Sequence, residues 1–212
     1  MNREASVTLP QAIQMALGHH QAGRLGEAEN IYRLVLQADP NHPDALHLLG
    51  LLAHQTGNNG LAIELIGKAI AVNPVVPAFH SNIGLAYQAT GNLDATIAHF
   101  RQAIELKPDH AGAYNNLGNA LKSRGAPDEA IACYRRALAL NPGYAEAHNN
   151  LGVTFQEQGK LDEARACFQK ALALKPGYAE AHNNLGIAYK NQGMPGAAIE
   201  CYQKALAYNP NY

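Results

Sequence analysis

Apolar residues return along this chain in short stripes of helical spacing, two stripes at a time, and each pair of stripes recurs after 34 residues. The segment 145–178 shows the unit. Its first half places His148, Leu151, Gly152 and Phe155 at steps of three, one and three, which is one face of a helix. Gly159 predicts the stop, because glycine takes the left-handed conformation that a helix end commonly needs. Leu161 and Asp162 open a second helix, with Asp162 either its N-cap or an acid in its first turn. Ala164, Phe168, Ala171 and Leu172 form that helix's stripe. Lys175-Pro176 ends it, since the residue before proline is pushed out of helical backbone space.

The same punctuation runs the length of the chain. Gly23, Gly57, Gly91, Gly125, Gly159 and Gly193 are 34 apart, as are Pro40, Pro74, Pro108, Pro142, Pro176 and Pro210, with no insertion or deletion between Leu9 and Tyr212. This predicts a lead segment, 1–8, and one repeat domain, 9–212, divided at 9–42, 43–76, 77–110, 111–144, 145–178 and 179–212. A single hairpin of this size cannot bury its apolar face, so neighbouring repeats must stack. The expected fold is all-α, with an extended surface as its functional asset.

Small residues recur where paired helices should cross. Gly50, Gly84, Gly118, Gly152 and Gly186 form one set, with Ala16 in the first repeat; Ala28, Ala62, Ala130, Ala164 and Ala198 form another, and Ala69, Ala103, Ala137, Ala171 and Ala205 a third. Glycine inside a helix costs about 1 kcal/mol relative to alanine, so five in register require a close-approaching partner. Tyr32, Phe100, Tyr134, Phe168 and Tyr202 are the large residues expected to fill those gaps.

Charge narrows the function. Sixteen Lys and Arg against 17 Asp and Glu give a net charge of −1, which provides no field to hold nucleic acid or an anionic membrane. No apolar run approaches the roughly 18 residues of a membrane span, and Met1 to Pro10 lack a signal-peptide profile, so a cytoplasmic location is expected. Cys133, Cys167 and Cys201 repeat at 34 residues and are expected as reduced thiols on one helical face. Of the ten histidines, His80, His148 and His182 fall on the packing stripe, and only His20, His47 and His54 are placed to approach one another. Neither metal nor cofactor is expected. No Ser-His-Asp order, phosphate loop or carboxylate pair stands out, so this chain alone is not expected to be an enzyme.

The run of bulky residue, Leu-Gly, aromatic, Ala, aromatic, Ala and Pro resembles the tetratricopeptide repeat, over Leu9 to Tyr212. Ala16, His19, Ala53, Ile66 and Thr96 depart from it in the first three repeats. The resemblance implies a right-handed superhelical solenoid whose first helices line a concave groove that binds protein or an extended peptide. Asn82, Asn116, Asn150 and Asn184 then form a ladder along that groove, with Asn115, Asn149 and Asn183 preceding it in three repeats, Asn119 a little further on, and Lys122 and Lys190 beyond. An asparagine amide carries both donor and acceptor and so matches a peptide backbone; the same group also serves local bonding between neighbouring helices. The doublet Asn-Asn-Leu-Gly is similar to the array preceding the catalytic region of O-linked N-acetylglucosamine transferases, where the ladder holds substrate backbone. That likeness breaks at Gln14 and Leu48. A chaperone-type carboxylate clamp is not expected, because Lys122 and Lys190 lie in separate repeats.

Two regions suggest a rival role in self-assembly. Leu17, Leu48 and Leu51 put an apolar patch on the first helices, which either meets a partner or packs against Met1 to Thr8. Ile199, Tyr202 and Leu206 belong to a last helix with none after it; they are expected to be partly bare, covered by more chain or by another copy stacked end to end.

Overall fold

The computed structural model describes residues 7–211; residues 1–6 of the expected lead segment, and Tyr212, fall outside the described residues. The fold is all-α, in helix-turn-helix pairs. The chain groups into two compact units, Met1–Pro108 and Asp109–Tyr212. The first holds α1 (Leu9–Gln21), α2 (Leu25–Ala38), α3 (Pro43–Gln55), α4 (Asn59–Val72), α5 (Pro77–Ala89) and α6 (Leu93–Leu106). The second holds α7 (Ala111–Ser123), α8 (Pro127–Leu140), α9 (Ala145–Glu157), α10 (Leu161–Leu174), α11 (Ala179–Asn191) and α12 (Pro195–Tyr208). Within each unit every odd helix packs on the even helix that follows it, and α2, α4, α8 and α10 each pack on the next odd helix.

The ends of the helices follow from their residues. Thr8 caps α1 with a reciprocal pair, its hydroxyl accepting from the Gln11 backbone while Gln11 Oε1 accepts from the Thr8 N–H at 2.9 Å. Asn58 and Asn92 cap α4 and α6 in the one-sided form, each side-chain oxygen 3.2 Å from the backbone nitrogen three residues on. At the other end of α9, Gly159 stands at φ +74°, and the Lys160 N–H reaches back to Phe155 O at 2.9 Å. Asp162 proves to be a first-turn acid of α10, bonded to Arg165 at 3.0 Å, while Lys160 holds the N-cap position.

The core repeats with the sequence. Tyr32, Phe100, Tyr134 and Phe168 are wholly buried, as are Ala28, Ala62, Ala130 and Ala164. Removing each ring from water contributes about 1.5–3 kcal/mol, which is what holds a pair together. The glycine opposite Phe100, Tyr134 and Phe168 is required by space: a Cβ on Gly152 would stand 2.6 Å from Phe168 Cε1. Ile66 takes the ring's place in α4 and lies equally close to Gly50. Thr96 replaces the usual alanine without stranding its hydroxyl, because Oγ1 donates to Asn92 O at 2.8 Å.

Candidate functional site

In each unit the odd helices also touch one another, α3 with α1 and α5, and α9 with α7 and α11. The asparagine doublets lie along this contact. Leu and Gly of Asn-Asn-Leu-Gly are buried by the even helix, so the two amides preceding them fall on the flank facing the neighbouring odd helix. Asn150 Nδ2 donates to Asn115 Oδ1 at 3.0 Å, and Asn184 Nδ2 donates to Asn149 Oδ1 at 3.1 Å. In the first unit Asn82 Nδ2 donates to His47 Nε2 at 2.7 Å. Each bond joins residues 35 apart, one more than the repeat length. Two further ties share that stride, His20 Nε2 to Gln55 Oε1 at 2.6 Å and Lys122 Nζ to Glu157 Oε1 at 3.5 Å.

Within the second unit the expected ladder therefore separates into two rows. Asn82, Asn116, Asn150 and Asn184 are half-exposed. Asn115 and Asn149, expected among the peptide contacts, are 5% and 0% exposed and lie beneath that surface as acceptors for the next repeat. Burial of an amide demands partners, and Asn149 has two, since its Nδ2 also donates to Glu180 Oε1 at 3.0 Å. Asn183 is half-buried. Asn119 accepts from the Tyr134 hydroxyl at 2.8 Å, Lys122 is drawn toward Glu157, and Lys190 is exposed. The doublet itself was the signal for the buried Asn115 and Asn149, because adjacent residues lie about 100° apart around a helix and one of the two is turned nearer the packed neighbour.

Leu17, Leu48 and Leu51 line a hollow with His20, Gln21 and Gln55. Val7 lies elsewhere, bordering a second apolar hollow with Leu9, Ala12, Met15, Ile31, Leu34 and Val35, so it does not cover that patch. In α12, Ile199 is 56% and Leu206 46% exposed, and Tyr202 is half-buried.

Models of the tetratricopeptide repeat match residues 19–81, 89–125, 118–159 and 143–210. The chain belongs to the tetratricopeptide-repeat family. Among solved structures it is similar to MamA, at 28% identity and a TM-score of 0.69 over 77% of this chain and 95% of that one. A chain of the APC/C hetero-tetramer Cut9–Hcn1 gives a TM-score of 0.85 at 18% identity, over 99% of this chain and 42% of its own length. YrrB, described as a TPR protein with an unusual peptide-binding site, gives 0.66 at 21% identity over 85% of this chain and 93% of that one. At these lower identities the last two attest the fold. No curated protein sequence matches the chain significantly.

The histidines of this tetratricopeptide array have mainly structural partners. His80, His148 and His182 take the large-aromatic position and direct Nε2 at the carbonyls of Pro74, Pro142 and Pro176, at 2.9, 3.2 and 2.9 Å. A carbonyl only accepts, so Nε2 carries the proton in all three. His80 Nδ1 lies 3.2 Å from His99 Nδ1, with Tyr87 stacked on His99. Burial pushes His47 down to about 4, against a weaker upward pull from Asp44. His99 is lowered by burial and then by His80, and His148 chiefly by burial. His20, His47 and His54, which the sequence allowed to converge, bond separately to Gln55, Asn82 and Asn59. Among the described residues no three His, Cys, Asp or Glu side chains are grouped to hold a metal ion, and no helix is long and apolar enough to cross a membrane. Burial raises Cys167 to about 11 and also raises Cys201.

Proposed function

We propose that the odd-helix face docks an extended polypeptide by its backbone. The chain would then be the partner- or substrate-selecting part of a larger assembly, with a glycosyltransferase as the preferred companion domain. The observation that carries this reading is the row of half-exposed amides Asn116, Asn150 and Asn184 in the second unit; Asn82 is the half-exposed amide of the first unit. Asn150 and Asn184 leave their oxygens unbonded within the described residues and not sealed from solvent. Such a row reads the repeating N–H and C=O of any extended segment, largely regardless of side chains. The tetratricopeptide fold and the peptide-binding site described for YrrB support the same reading.

The test uses a 12-residue random peptide library selected against the whole chain, followed by replacement of Asn116, Asn150 and Asn184 together by Ala. One hydrogen bond contributes about 0.5–1.5 kcal/mol, so three lost together should weaken a selected peptide by roughly ten-fold or more. Unchanged affinity in a folded variant rejects the reading.

A second reading, self-assembly, draws on the exposure of Ile199 and Leu206 in α12. It requires a molar mass that rises with protein concentration in light scattering, without any peptide, and falls back when both residues are changed to Ser.

A further inference from the structure

A free asparagine amide is ambiguous. Turned by 180°, it exchanges acceptor for donor, so a row of such groups specifies no polarity in what it binds. The second unit contains a device that removes the ambiguity. Glu180 and Asn184 lie one turn apart on α11, and Asn149 of α9 bonds to both of them. An ionised carboxylate can only accept, so Asn149 must turn its NH2 toward Glu180, at 3.0 Å. Its oxygen is then directed to Asn184, whose Nδ2 meets it at 3.1 Å. Asn149 is wholly buried, which leaves it no water with which to satisfy the opposite orientation. Asn184 in turn has one N–H engaged and its oxygen left open.

We infer that Glu180 and Asn149 are positioning residues that fix the polarity of Asn184, so that this rung presents an acceptor and selects a backbone N–H at the matching residue of the docked segment. The inference rests on the peptide-docking reading. It adds a specificity: a proline or N-methylated residue opposite Asn184 is disfavoured. The acidic end of the relay also makes the polarity reversible by design. A lysine at position 180 would donate to Asn149, turn its NH2 toward Asn184, and leave Asn184 showing NH2 instead of oxygen.

Two readouts separate this inference from the reading beneath it. The first needs no peptide: the side-chain amide resonances of Asn149 and Asn184, followed by NMR in the whole chain and in the Glu180→Lys and Asn149→Leu variants. The relay requires both pairs of amide resonances to move in Glu180→Lys, whose site is exposed and whose fold should persist. Unmoved Asn184 resonances overturn it. The second uses a 12-residue peptide selected against the natural chain and then N-methylated one residue at a time. One position should lose about three- to ten-fold in affinity on methylation, and that penalty should fall below two-fold in both variants. An equal penalty in all three proteins overturns the inference. Failure to select any binder overturns the docking reading, and the resonances then decide the relay alone.

Discussion

Tyr134 lies with its Cε1 only 2.6 Å from the point where a Cβ on Gly118 would stand, and its Cδ1 and Cζ are at 2.9 Å. The ring is wholly buried, so it has nowhere to retreat. Gly118→Ala should therefore destabilise the chain despite alanine's better helix propensity. Overpacking costs about 1–3 kcal/mol and outweighs a propensity gain of about 1 kcal/mol at most. The contrast is Gly18→Ala in the last turn of α1, where nothing lies within 4 Å of the added Cβ and stability should rise by up to about 1 kcal/mol. Urea denaturation midpoints of the two variants should move in opposite directions.

Much of this packing is legible from the residues alone. The period assigns Gly118 and Tyr134 to facing positions, and the stripes ending at Gly159 and Lys175 give helix limits that agree with α9 and α10. What escapes such a reading is contact between repeats. Periodicity says that Asn116, Asn150 and Asn184 are equivalent, whereas the offset between packed helices decides that Asn150 bonds to Asn115. Because the offset is one residue, the doublet divides into a buried and an open row. The carbonyls that receive His80, His148 and His182 were equally hidden, since these bonds depend on the turn of backbone after each proline.

His47 should make the fold acid-sensitive. Its folded value is depressed to about 4 from 6.5, so between those limits the unfolded chain holds more protons and stability falls as pH falls. The loss begins near pH 6.5 and approaches about 3 kcal/mol near pH 4. His99 and His148, also lowered, contribute with the same sign. Replacing His47 by Asn keeps an acceptor for Asn82, as in the Asn115–Asn150 pair, and removes one titrating group. Thermal melts from pH 7 to 4 should show a shallower decline in that variant, and an identical decline would count against the assignment.

Cys167 should resist alkylation in the folded chain. Its thiol is raised from 9.0 to about 11, which lowers the thiolate fraction at pH 8 by about 100-fold, and only the thiolate attacks. Mass spectrometry after iodoacetamide treatment should find Cys167 unmodified without denaturant and modified in 6–8 M urea, a range of about that strength being enough to expose it.

Tyr134→Phe removes the hydroxyl that donates to Asn119 and also meets Thr154. The equivalent positions are already phenylalanine at Phe100 and Phe168, so the ring fits, and what is lost is the hydroxyl's 2.8 Å bond to Asn119 with its contact to Thr154. A decrease of about 0.5–1.5 kcal/mol in unfolding free energy is expected.

The ties of stride 35 also govern how such a chain can change its length. Excising residues 145–178 would bring Asn184 opposite Asn115, recreating the pair that Asn150 now makes, and the shortened array would close without a scar. Adding one residue to the turn between α8 and α9 would instead push Asn150 out of step with Asn115. Growth by whole modules is cheap, and growth by single residues is not.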